Sequence, residues 1–157
     1  MKFAHMADIH IGVWRDPKMR DLSLQSFVKA IDICKSQNVD FILISGDLFD
    51  TAIPAIDNLK QAVTKLRELR DKDIPVYIIA GSHDFSPSGK TMIDVLEEAE
   101  LVQNVCKGNI DNDNSLTLNF TVDPKTGANI TGMIGKKGTL EKKYYENLNR
   151  ENLEKKD

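Results

Sequence analysis

The sequence has little of what marks a specialised chain. Its two cysteines, Cys34 and Cys106, stand far apart and form no CxxC pattern, so both read as buried or partly buried thiols. No apolar run approaches the roughly 18 residues that a membrane span needs. The longest runs, around Phe41–Ile44 and Val76–Ala80, are strand-sized. Asp8 and His10 fall where a signal peptide would need an uninterrupted apolar stretch. The expectation is an intracellular protein, of the cytoplasm or nucleoid, with no membrane partner. There is no excess of positive charge: 21 Lys and Arg against 24 Asp and Glu leave a net charge of −3. That excludes the basic coat of many passive DNA binders. It does not exclude an enzyme that acts on DNA, because bound divalent cations reverse the local sign in a carboxylate-lined site. Internal repeats and low-complexity tracts are also missing.

What is present suits one globular domain: 157 residues, 41% hydrophobic and 29% charged. Lys2–Ala7 reads as a strand that Asp8 ends, and residues 8–20 as a loop broken by Gly12 and Pro17. Phe27, Ala30, Ile31 and Cys34 recur at helical spacing between about Leu22 and Lys35. Asp40–Ser45 is a continuous apolar run of the kind found in buried parallel strands. Pro54 suits the first turn of a second helix, whose stripe is Ile56, Leu59, Val63, Leu66 and Leu69. Pro75–Ala80 is a third strand. Thr91–Glu98 is a short helix carrying Met92, Val95, Leu96 and Ala99. The order βαβαβα predicts a mainly parallel sheet with right-handed crossovers and flanking helices. Ligands bind such sheets at the carboxyl ends of the strands.

The character changes after about Val105. Ser115–Val122 alternates, Asp123-Pro-Lys-Thr-Gly127 is a turn signal, and Ala128–Ile134 reads as the return strand of a hairpin. Gly135–Asp157 is polar and reads as either a solvated helix or a frayed tail. The expected division is 1–135 for the main domain and 136–157 for this polar segment.

Three short motifs each follow an expected strand: Asp8-Ile-His10, Gly46-Asp47-Leu48-Phe49-Asp50 and Gly81-Ser82-His83-Asp84. Parallel strands end at one edge, so Asp8, His10, Asp47 and His83 should converge there. Carboxylates and imidazoles are the ligand set of manganese, iron or zinc. A carboxylate can bridge two ions about 3.5–4 Å apart, and such a pair can clamp a phosphoryl group. Each motif alone is common; the three together, in this order and context, are specific. His5, within the first strand, reads as a packed or edge residue.

The order DxH, GDxxD, GxHD resembles the calcineurin-like metallophosphoesterase superfamily, whose fold is an α/β sandwich. His5-Met-Ala-Asp-Ile-His-Ile-Gly12, Ser45-Gly-Asp-Leu-Phe-Asp50 and Tyr77-Ile-Ile-Ala-Gly-Ser-His-Asp84 are similar to the Mre-eleven family of DNA double-strand-break repair nucleases. The resemblance spans roughly residues 1–105. It implies a metal-dependent exo- and endonuclease with two divalent ions, manganese foremost, in which a metal-activated hydroxide attacks the phosphodiester. By this resemblance Asp8 and His10 bind the first metal and Asp47 bridges both. His83 is the catalytic histidine, assisting the leaving oxygen. Asp50 orients a ligand, and Asp84 braces the loop.

Two departures qualify the resemblance. Ser82 stands where the family has an asparagine whose oxygen binds the second metal, and a hydroxyl is a shorter and weaker donor. The family also completes its site with three further histidines, whereas no histidine follows His83. The expectation is therefore part of a longer protein, incomplete and inactive alone. Family partners are DNA, contacted through phosphates, a Rad-fifty-type ABC ATPase that binds elsewhere in the full-length protein, and a second copy. The homodimer would pair through the region of Leu59, Val63, Met92, Val95 and Leu96, unless these all pack on the sheet.

Other readings compete. The substrate of the same site could be a non-DNA phosphate ester. A non-catalytic dimerisation or DNA-docking module would explain Ser82 and the missing histidines. Gly81 and Gly89-Lys90-Thr91 imitate a P-loop, but seven residues separate the glycines where a P-loop has four.

Overall fold

The computed structural model describes every residue except 17, 87–88, 113, 136–141 and 155–157. Pro17, part of the loop after the third strand, and both outer stretches of the polar tail therefore lie outside the described residues. The chain runs β1 (Phe3–Met6), α1 (Leu22–Ser36), β2 (Phe41–Ser45), α2 (Ile56–Arg70), β3 (Val76–Ile79), α3 (Met92–Glu98) and β4 (Gln103–Asn104). The strands lie in the order β1-β2-β3-β4, all neighbours parallel. This is the expected parallel sheet with helical crossovers. β4 is an addition: it is two polar residues long, too short for any periodicity to announce.

The alternating pleat sends Ile42, Ile44, Val76 and Ile78 toward the helices, where Phe27, Ile31, Ala62, Leu66, Leu69, Ile93 and Leu96 meet them. Phe41 and Tyr77 point to the opposite face and pack with Val105 and Ile130. The helix stripes differ from expectation at their ends. Ile56 and Val95 are exposed, while Ala62 and Ile93 are fully buried. In a seven-residue helix, Ile93 and Leu96 share one face, and Val95 falls about 100° away from Leu96 on the outside. Thr91 is the N-cap of α3 rather than a helical residue, closing a capping box with Asp94. His5 lies on the exposed edge strand β1, its Nε2 2.6 Å from Ser45 Oγ. Cys34 is buried and Cys106 partly buried.

In the second half the expected hairpin around the 123–127 turn forms, but with shorter strands. Ser115–Val122 is not one strand. β6 (Leu116–Leu118) turns back onto β5 (Gly108–Ile110), and only β7 (Thr121–Val122) pairs with β8 (Asn129–Ile130). The break falls after Asn119, whose N–H still extends the β5–β6 pairing by donating to Lys107 O. The 123–127 turn forms, and Tyr77 OH ties it to β3 by donating to Asp123 Oδ1 at 2.6 Å. In the polar tail, α4 (Lys142–Glu146) and a 3-10 turn (Arg150–Leu153) are helical. They are docked rather than frayed: Leu116 exchanges backbone hydrogen bonds with Asn147 and Asn149, and Asn152 Nδ2 donates to Leu118 O.

Candidate metal centre

Beyond β1 and β2 the two chains keep running side by side. Asp8 N–H donates to Gly46 O at 3.3 Å, His10 N–H to Asp47 O at 2.9 Å and Ile11 N–H to Leu48 O at 3.0 Å. Within this pairing Asp8, His10 and Asp47 take left-handed backbone conformations, with φ of 51°, 47° and 49°. Each costs a non-glycine residue on the order of 1–2 kcal/mol. Asn38, Asp73 and Glu100, which share the conformation, close helix ends, where it satisfies carbonyls. Asp8, His10 and Asp47 have no such role. Their strain is the cost of bringing three side chains to one edge.

The third loop reaches the same point because two glycines allow it. A Cβ on Gly81 would lie 2.2 Å from Asp47 Oδ1 and 2.3 Å from Asp47 N. Gly46, at φ 84°, brings its own backbone against Gly81. With that contact made, His83 N–H donates to Asp47 Oδ1 at 2.7 Å, fixing the carboxylate.

The side chains then form two groups that share His10. In the first, Asp8, His10 and Asp47 hold ligand atoms within 4.8 Å of one another. His10 Nε2 lies 3.9 Å from Asp8 Oδ1 and 3.7 Å from Asp47 Oδ2. In the second, Asp50 Oδ1 stands between two imidazoles, 3.3 Å from His10 Nδ1 and 3.7 Å from His83 Nδ1. The two rings meet edge to face at 4.8 Å. His83 Nδ1 is engaged by the Asp50 backbone carbonyl at 2.7 Å. His10 Nδ1 is buried and completes no hydrogen bond among the described residues.

Asp84 sits beneath these groups, 2% exposed. Its carboxylate accepts the N–H groups of Leu48 at 3.3 Å, Phe49 at 3.2 Å and Gly81 at 3.0 Å. Ser82 is half-buried beside His83, and its hydroxyl makes no hydrogen bond among the described residues. Sequence reasoning did not anticipate the contact of Asp50 with both rings. The spacing Asp47-x-x-Asp50 was visible, but the turn that folds Asp50 back toward His10 was not.

The calcineurin-like phosphoesterase profile matches residues 1–156. The chain belongs to that family. Its sequence is 37% identical over 91 residues to the DNA double-strand break repair protein Mre11 of Methanococcus maripaludis, covering 56% of this chain and 24% of that protein. It is 33% identical over 104 residues to the protein of the same name from Archaeoglobus fulgidus, covering 65% of this chain and 24% of that one. The chain thus spans about a quarter of the length of these curated relatives. Pseudomonas putida nuclease MPE superposes with a TM-score of 0.48 at 20% identity, over 69% of this chain and 50% of that one.

Calcineurin-like phosphoesterases use divalent metals, and this donor set fits one. Two carboxylates and an imidazole converge within reach of a single cation. They occupy left-handed backbone positions that close no helix end. His10, Asp50 and His83 form a second group whose ligand atoms lie within 4.8 Å of one another, with His83 Nδ1 already engaged by the Asp50 carbonyl. Among the described residues no helix is long and apolar enough to cross a membrane.

Proposed function

We propose that this chain carries the first half of the active site of a metal-dependent DNA phosphodiesterase, an exo- and endonuclease of double-strand-break repair. The observation that carries the proposal is the meeting of Asp8, His10 and Asp47 with His83 at one sheet edge. The archaeal relatives add DNA as the substrate class through their names.

Asp8 and His10 would hold one divalent cation, manganese being our choice, and Asp47 would be shared with a second. Ser82 would offer the second a weak hydroxyl ligand. When bound, the cations supply charge neutralisation at the phosphate and an activated water. The protein's own residues do the rest. The Gly81 turn lets His83 N–H hold Asp47 in place. The Asp50 carbonyl accepts from His83 Nδ1–H, which leaves Nε2 as the position that would carry a second proton and pass it to the leaving oxygen. Asp50 Oδ1 steadies the His10 and His83 rings, and Asp84 braces the loop backbones.

Residues 1–135 form the phosphoesterase part of this proposal and 136–157 a polar appendage. The remaining ligands of the second metal would come from outside these 157 residues, so the chain alone should cleave DNA poorly. The protein would work inside the cell as a homodimer with a Rad-fifty-type ABC ATPase that binds elsewhere. In that dimer Val95, exposed on α3, is available for contact, whereas Leu96 is committed to the core.

Manganese titration by calorimetry on this chain and on Asp47→Ala tests the proposal. Heat in the wild type that vanishes in the variant supports it. Equal heat in both places the metal elsewhere and overturns the site.

A further inference from the structure

Among the described residues, five aromatic side chains are markedly exposed: Phe3, Trp14, Phe85, Phe120 and Tyr145. Phe3 is already stacked on Phe41 at 5.1 Å, and Phe120 and Tyr145 belong to the second half of the chain. Trp14 and Phe85 differ from these. They are 44% and 48% exposed, and neither has a ring partner among the described residues. Each lies in the loop that carries a site motif. Trp14 is four positions after His10, and Phe85 two positions after His83.

Chain geometry limits how far the Cα atoms of Trp14 and Phe85 can lie from those of His10 and His83. Four residues span at most about 14 Å and two at most about 7 Å. The bond from Val13 N–H to His10 O bends the chain and brings Trp14 closer still. The His10 and His83 rings are themselves 4.8 Å apart. A strand whose phosphate sits at those rings would pass both aromatics within a few nucleotides, since its phosphates repeat about every 3.4 Å along a duplex and further apart when unstacked. Beside Trp14, Arg15 is exposed and has no ion-pair partner among the described residues. An exposed aromatic with an adjacent free cation is how single nucleic-acid strands are gripped without regard to sequence. Chance exposure of the one tryptophan would not require an arginine without an ion-pair partner among the described residues beside it and a second bare aromatic two positions from His83.

We infer that Trp14 is a stacking platform for an unpaired nucleobase next to the scissile phosphate, with Arg15 contacting the neighbouring phosphate and Phe85 bordering the strand on the other side. The inference rests on the nucleic-acid reading above and adds that the bases near the cleaved bond are unstacked from their partners. It selects frayed or single-stranded ends over intact duplex.

Trp14 is the sole tryptophan, so its fluorescence reports on the platform directly. The 157-residue chain is titrated with a short oligothymidylate and with an abasic deoxyribose-phosphate oligomer of equal length. Binding is followed in parallel by anisotropy of a label on the oligomer. The thymine oligomer should quench the tryptophan and the abasic one should not. Trp14→Ala should weaken thymine-oligomer binding by about 5- to 150-fold, leave abasic binding unchanged, and be largely rescued in Trp14→Phe. Equal quenching by both oligomers, or an unchanged affinity in Trp14→Ala, overturns the platform and leaves the nuclease reading standing. Absence of binding by anisotropy for either oligomer overturns both.

Discussion

The backbone carbonyl of Asp50 lies 2.7 Å from Nδ1 of His83. A carbonyl oxygen can only accept, so Nδ1 carries the proton and, in the neutral ring, Nε2 carries the lone pair. The tautomer is thereby set by the chain that also carries the Asp50 carboxylate. At pH 8 the ring 15N shifts of His83 should show Nδ1 protonated and Nε2 bare. The opposite tautomer would mean that the Asp50 carbonyl does not hold the ring in solution. In the metal-loaded, full-length protein, His83→Asn keeps a donor for the Asp50 carbonyl but loses Nε2. Cleavage should then fall about 100-fold or more with the heat of manganese binding retained.

Asp84 should be worth more to the fold than to the chemistry. Three backbone N–H groups from two loops end on its buried carboxylate. Asp84→Ala strands all three and should cost on the order of 2–5 kcal/mol in chemical denaturation. Asp84→Asn keeps one acceptor oxygen and should cost less. Equal and negligible losses in the two variants would mean that water replaces the carboxylate without penalty.

Two glycines provide an internal contrast. A methyl on Gly81 runs into Asp47, whereas one on Gly127 meets nothing within 4 Å. Gly127→Ala should lose only about 1 kcal/mol, for its φ of 74°. Gly81→Ala should lose about 1–3 kcal/mol or more and also weaken manganese binding by displacing Asp47. Denaturation and calorimetry on both variants separate backbone strain from damage to the site.

How much of this was legible in the sequence follows from the length scale of each signal. α1, α2 and the strands Phe41–Ser45 and Val76–Ile79 stand out because their apolar patterns persist for several residues. Asp8, His10, Asp47 and His83 stand out because each follows such a strand. β4 was hidden because two polar residues carry no pattern, and its place beside β3 depends on the short helix before it. The 108–130 region misled for a related reason. Alternation at Ser115–Val122 says that a strand is favoured, but not which partner it takes, and Asn119 divides it between two. The contact of Asp50 with two rings and the bonds from Leu48 and Phe49 to Asp84 join loops more than 30 residues apart, which no local rule reads.

α1 and α2 are joined by alternating charges. Lys35 contacts Asp32 at 2.7 Å and also pairs with Glu68, while Lys65 reaches Asp32 at 3.3 Å and Glu68 at 3.1 Å. Bonds from Lys35 first, and Lys65 second, hold both carboxylates below their ordinary pKa. A depressed carboxylate contributes stability that is present above its unfolded pKa, about 4, and is lost as the pH falls through the folded value. The stability gap between wild type and an Asp32→Asn/Glu68→Gln variant should therefore be full at pH 7, begin to shrink near about pH 4 and close as the pH falls through the lower folded values. It should also narrow in 1 M salt. A gap that does not shrink as the pH falls from about 5 toward about 2 would assign it to packing instead.

Tyr77 carries the corresponding effect at high pH. Its ring is 1% exposed and its hydroxyl donates to Asp123, itself fully buried and held by Thr126 through both N–H and hydroxyl. Burial first, and then the bond to Asp123 and its negative charge, push the Tyr77 phenol well above the ordinary tyrosine range. For a group whose ionised form is disfavoured in the fold, the contribution is complete below the unfolded pKa of about 10 and is lost as the pH rises above it. Alkaline titration followed by phenolate absorbance should therefore show one of the three tyrosines ionising only as the fold is lost. Tyr77→Phe should abolish that late step. At neutral pH the variant should lose about 1.5–3 kcal/mol, the usual cost of a hydrogen bond to a charged group, and its stability should decline less steeply above pH 10. Ionisation of all three tyrosines before unfolding would mean that the 123–127 turn releases β3 in solution, and with it the packing of β8 on the second face of the sheet.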